Sequence, residues 1–194
     1  MKKLFVLVLC MTQLFVACKK EETQWVLENV VYEKISETAV KVIGIDSNLD
    51  ILKIPPTITV SNGDEQKEFK VLEIAPYACM NAYIRNVFIP NTIISIGKGA
   101  FYGCFALEAV VIGTDIKSIG EEAFFSPNSI NNNTNYIILA LTPPNFEKRA
   151  IDTGYIHVKN ESVDAYNYAC SGVRIIPLSD EAYEQFVEIL NTLK

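Results

Sequence analysis

The chain has 194 residues, 49% of them hydrophobic and 21% charged, and its formal net charge is −6. That suits one domain with a sizeable core or two small ones, and it excludes a disordered chain, which has too little apolar surface to bury. No run of about 18 apolar residues is present to cross a membrane as a helix, and the acidity argues against nucleic acid, whose binders supply basic grooves to replace phosphate counterions.

Residues 1–17 read as a targeting segment. Lys2 and Lys3 supply a basic start, and the apolar stretch from Leu4 to Ala17, broken only by Thr12 and Gln13, is shorter than the roughly 20 residues of a membrane-spanning helix. It closes with Phe15-Val16-Ala17-Cys18. That sequence resembles the lipobox of bacterial lipoproteins, with Phe15 where leucine is commonest. The resemblance implies cleavage before Cys18 and a lipid on Cys18; the alternative is an ordinary secretory signal with an incidental cysteine. Loss of both lysines leaves 15 Lys+Arg against 23 Asp+Glu, a side-chain charge of −8. Residues 18–24 then form a tether. Its Lys19-Lys20-Glu21-Glu22 resembles the signal that sends lipoproteins of the Bacteroidetes to the outer face of the outer membrane. The expectation is an outer-membrane lipoprotein exposed at the cell surface, with a periplasm-facing one as the alternative.

A repeat begins beyond the tether. The segment Ile89-Pro90 through Ile96-Gly97-Lys98-Gly99-Ala100-Phe101 is echoed by Ile112-Gly113 through Ile119-Gly120-Glu121-Glu122-Ala123-Phe124, a shift of 23 residues. A diverged copy runs from Leu52-Lys53-Ile54-Pro55 to Ile74-Ala75-Pro76-Tyr77-Ala78-Cys79, with a hairpin signal at Asn62-Gly63 between its halves. These residues resemble the BspA-like class of leucine-rich repeats, and Ile96 to Cys104 is the fullest copy. The segments around Val31 to Ile35 and Val40 to Val42 resemble that family's N-terminal hairpin cap. Thr142-Pro143-Pro144, Ile156-His157-Val158 and Ser162 to Tyr166 resemble its terminal repeat. The resemblance implies a short repeat solenoid: a β cap over 25–50, about five irregular coils over 51–178, and a C-terminal helix over 179–194.

Each unit offers a strand and a second apolar segment that bury only when units stack. Ile84, Val87 and Ile89 recur as Leu107, Val110 and Ile112 and point inward; Ile96, Ala100 and Phe101 recur as Ile119, Ala123 and Phe124 and fill the other side. Cys79 occupies the position of Phe101 and Phe124, and it, Cys104 and Cys170 read as core thiols. Period-two alternation leaves Lys53, Phe88, Val111, Ile138 and His157 facing outward in one ladder, the candidate binding face. The alternative for these apolar residues is plain stabilisation of a sheet surface. The asparagine-rich insertion from Asn128 to Asn135 interrupts the register of Ile138 and His157.

The sequence holds no GxSxG elbow, phosphate loop or HExxH motif, and the single histidine has no second imidazole with which to hold a metal. Neither a cofactor nor a metal site is expected, and a hydrolase built on a spatial pair of acids ranks below a binding role. Ser179-Asp180-Glu181 suits a helix start, and Ala182, Phe186, Ile189, Leu190 and Leu193 recur at helical spacing, which predicts a helix capping the last coil, with Trp25 serving the other end. The family resemblance implies a non-enzymatic adhesion module for host or community proteins or glycans, joined to the membrane through its lipid; a structural or scaffold lipoprotein facing the periplasm is the alternative.

Overall fold

The computed structural model describes residues 23–45, 49–62, 64–127, 133–170 and 173–193. The signal segment, Cys18 and most of the tether lie outside the described residues.

Four turns that each carry one strand in either of two sheets, and a further turn in which a helix takes the place of the second strand, wind into a β-solenoid. The first sheet joins β4 (Ile51–Lys53), β7 (Asn86–Ile89), β9 (Ala109–Ile112), β11 (Asn135–Ile138), β13 (Tyr155–Lys159) and β14 (Arg174–Leu178), all parallel. The second takes the shorter strand of each turn: the end of β6 (Glu65–Ile74), then β8 (Ser95–Ile96), β10 (Ser118–Ile119) and β12 (Asn145–Phe146). Its other end is an antiparallel cap of β1 (Gln24–Leu27), β2 (Val30–Ser36) and β3 (Ala39–Ile45), and β3 joins β6 in parallel. Between the halves of the diverged copy, β5 (Thr57–Asn62) pairs antiparallel with β6, Asn62 opposite Glu65; Gly63 of the Asn-Gly signal lies outside the described residues. In the last turn the second strand is replaced by α1 (Val163–Ala169), and α2 (Asp180–Asn191) ends the chain.

The inward residues expected from the repeat form one core. Ile84, Val87, Ile89, Val110 and Ile112 are fully buried from the first sheet, and Ile96, Ala100, Phe101, Ile119 and Ala123 from the second side. Phe101 and Phe124 stack with ring centroids 5.0 Å apart, and the edge of Tyr136 meets Phe124 at 5.3 Å. Tyr166 of α1 closes this core, its Oη donating to the Ala140 carbonyl at 2.9 Å. At the other end Trp25 packs on Phe69 at 5.1 Å. The glycine of the Ile-Gly pair is required by coil stacking: a Cβ on Gly97 would lie 2.4 Å from Pro76 N, and one on Gly120 2.5 Å from Lys98 N. Both clashes are with backbone, so no rotamer relieves them.

Candidate functional site

Successive side chains along the first sheet alternate between the core and the outer face. Two outward rows result, two residues apart. Hydrogen-bonded register aligns Lys53, Phe88, Val111, Ile137, His157 and Ile176 in one row, and Ile51, Asn86, Ala109, Asn135, Tyr155 and Arg174 in the other.

The first row corrects the expected ladder at one position. Ile138 pairs with Ile112 and is fully buried in the core; its neighbour Ile137 stands beside Val111. The insertion lengthens this turn, and a slip of one residue exchanges the faces. Tyr136, Ile137, Ile138 and Leu139 are all buried, so the alternation that would have fixed the register is absent from the sequence.

A second correction is larger. The ladder is covered by the chain's own C-terminal helix. Val111, Ile137 and Leu139 are buried against Tyr183, Leu190 and Leu193, with Phe88, Leu178, Phe186 and Val187 at the margin of the same cluster. Helix α2 starts where expected: the Ser179 hydroxyl accepts from the Ala182 N–H at 3.2 Å, and Asp180 and Glu181 lie in its first turn. It then lies across the strands rather than over the end of the last coil. Tyr183 Oη donates to the Leu139 carbonyl at 2.8 Å, Lys159 Nζ lies 5.2 Å from the Tyr183 ring, and at the far end Asn91 Nδ2 donates to Asn191 Oδ1 at 3.3 Å. Its twelve residues span about 18 Å, close to the four strand spacings from β14 to β7. The face was apolar because a helix needed it.

Lys53, on the outer strand, remains exposed, and His157 is half-buried at the boundary between the rows. His157 Nε2 lies 3.0 Å from Asn135 Oδ1, and burial holds its pKa below the usual histidine value. A neutral imidazole with its proton on Nε2 donates to that oxygen and fixes the Asn135 carboxamide.

The second row is open and polar. Ile51 is 49% exposed, and the Arg174 guanidinium stacks 5.6 Å from the Tyr155 ring. Where β7 and β9 begin, this row meets a groove lined by Tyr83, Arg85, Phe105, Glu108, Asn133 and Asn135. The Tyr83 and Phe105 rings stand 6.0 Å apart at 67°, and Phe105 is 55% exposed. Arg85 lies over Tyr83, donates to its Oη at 3.1 Å, and pairs through Nε with Asp50 at 3.4 Å and Glu108 at 3.8 Å. Sequence reasoning missed this groove. Asp50, Arg85 and Glu108 precede their strands by one residue and carry no repeat signal of their own.

The described cysteines offer no activated thiolate. Burial pushes the Cys104 thiol up to about 12 and Cys170 to about 11, and raises Cys79 as well, so none is a thiolate near neutral pH. Glu121 is held below the usual carboxylate range by Lys98, and Glu122 pairs with Arg149. Among the described residues no cluster of three His, Cys, Asp or Glu side chains is placed to hold a metal.

Residues 72–182, more than half of the chain, match the model of the BspA type leucine rich repeat region in six copies. The chain belongs to the BspA-type leucine-rich repeat family. No curated protein matches it. A leucine-rich repeat protein from Bacteroides capillosus is similar in structure, with a TM-score of 0.57 at 23% identity over 70% of this chain and 99% of that one. A leucine rich cell surface protein from Faecalibacterium prausnitzii superimposes with a TM-score of 0.55 at 18% identity over 80% of this chain. The match spans 43% of that protein's length. At these identities the likeness is one of fold. Members of the BspA-type repeat family are typically associated with the cell surface and typically non-enzymatic.

Proposed function

We propose that this BspA-type protein is a lipid-anchored module, held in the outer membrane through Cys18 and displayed at the cell surface, that binds a protein or glycan ligand without catalysing a reaction. The observation that carries the reading is the division of the first sheet's outer face. One row is closed by α2, while the row beside it keeps an open strip of amide, aromatic and guanidinium groups that contributes to neither apolar cluster. Solenoids use such repeated surfaces for recognition. The lipobox supplies the anchor, and among the described residues no helix is long and apolar enough to cross a membrane. One protein of the same fold, from Faecalibacterium prausnitzii, is described as a cell surface protein.

Two measurements test this reading. Cys18→Ala is expected to move the protein from the membrane fraction to the soluble fraction; persistent membrane association would sink the lipid anchor. External protease is expected to digest the protein on intact cells. Protection until the outer membrane is opened would overturn surface display in favour of a scaffold facing the periplasm.

A further inference from the structure

We propose that the groove between Tyr83 and Phe105 binds a neutral glycan chain. The inference rests on the reading of the protein as a binding module and names the site and the ligand class that module uses.

The first ground is the cost of the aromatic residues. Phe105 is more exposed than any other phenylalanine or leucine among the described residues, and neither it nor Tyr83 contributes to an apolar cluster of the fold. The two rings meet edge-on at 6.0 Å, and the Tyr83 hydroxyl is tied down by the Arg85 guanidinium, which donates to it at 3.1 Å. Rings held rigidly at a surface give contact area at little entropic cost, and their faces take the axial C–H groups of a pyranose ring.

The second ground is the polar rim. Asn133, Asn135, Arg85 and Glu108 surround the rings. A carboxamide both donates and accepts, as a sugar hydroxyl does, and a carboxylate and a guanidinium supply the paired acceptors and donors that vicinal hydroxyls need. Asn135 is already oriented: its Oδ1 meets His157 and its Nδ2 donates to the Asn133 carbonyl at 3.3 Å. One of its amide protons is left for a ligand.

The third ground is charge. Arg85 lies between two carboxylates, Asp50 and Glu108, so its N–H donors are presented without a net positive field, on a chain of net charge −6. A sulfated or sialylated chain would gain nothing here and meet two acids. A neutral chain meets complementary groups throughout. Tyr155, with Arg174 over its ring, stands next to Asn135 in the same row, one strand from the groove, so a chain of several sugars could reach it where a single sugar could not.

The test is affinity electrophoresis of the purified full chain through gels containing laminarin, galactomannan, arabinoxylan or dextran, all neutral, with heparin as the anionic probe and immobilised mucin polypeptide, stripped of its glycans, as the protein probe. At least one neutral polysaccharide is expected to retard the protein. Phe105→Ala and Tyr83→Ala are expected to weaken that binding about tenfold or more without shifting the melting temperature, and Phe105→Tyr to retain it. Retardation by none of the four neutral polymers, or by heparin alone, would overturn the ligand class. Unchanged binding in the alanine variants would overturn the location, and loss of polypeptide binding alone in those variants would assign the groove to a protein partner. None of these outcomes bears on membrane release or protease digestion, so the module reading stands or falls separately.

Discussion

Val111 and Ala109 belong to the same strand, face the same side of the same sheet and lie two residues apart, yet one is part of a buried cluster and the other borders open surface. The difference is not made by the strand. It is made by α2, whose Tyr183 and Leu190 cover the Val111 row together with Leu193 just beyond the helix, while the Ala109 row stays outside that cluster. The outer face of the sheet is thereby divided into an apolar half that packs against the helix and a more polar half that stays open. An apolar outward residue in a repeat protein is therefore evidence of a binding face only when no segment of the same chain has been spent on covering it.

The contrast is broken most severely by removing the helix. A chain ending at Leu178 is expected to expose Val111, Ile137 and Leu139, bind a hydrophobic dye and lose more stability in urea than Leu190→Ala, itself expected to cost about 2–5 kcal/mol. A truncated chain that melts like the intact one would mean that α2 only rests on the sheet. A paired substitution sharpens the same comparison at a single strand. Val111→Ser is expected to cost about 2 kcal/mol, while Ala109→Ser stays within about 0.5 kcal/mol. Equal urea midpoints for the two variants would remove the distinction between the rows.

The smallest expected effect concerns the residue on the boundary. Burial lowers the His157 pKa, so the unfolded chain binds the proton more readily than the folded one. The contribution is fully present above about pH 6.5 and is lost as the pH falls below it, because protonation then favours the unfolded state. Carboxylates elsewhere titrate equally in wild type and His157→Gln. The urea midpoint of wild type is therefore expected to fall more between pH 7.5 and 5.5 than that of the variant, and parallel falls would mean that His157 is solvated.

Much of this arrangement is legible in single residues. The 23-residue echo of Ile-Gly-x-x-Ala-Phe marks the coils because its glycine is forced by backbone contact between neighbours and its phenylalanines stack on one another. The N-terminal strands and the helix start at Ser179 follow from alternation and capping. The position of Ile138 does not. Tyr136 to Leu139 reads as one apolar run because both faces of β11 are buried, and a run without alternation carries no register. The same runs, at Val110-Val111-Ile112 and Ile137-Ile138-Leu139, were the available sign that something covers the outer face.

The sequence by itself determined the repeat, the two inward faces, the places of the buried thiols Cys79 and Cys104 (the third expected core thiol, Cys170, is only half-buried) and the existence of an amphipathic C-terminal helix, since each depends on periodicity or on contacts between adjacent coils. Only the tertiary structure decided where that helix docks, which isoleucine of β11 faces it, and that Tyr83, Arg85 and Phe105 meet Glu108 and Asn135 in one groove. Docking of a helix on a sheet is a contact between segments far apart in the chain, selected by complementary surfaces that form only after the coils have stacked.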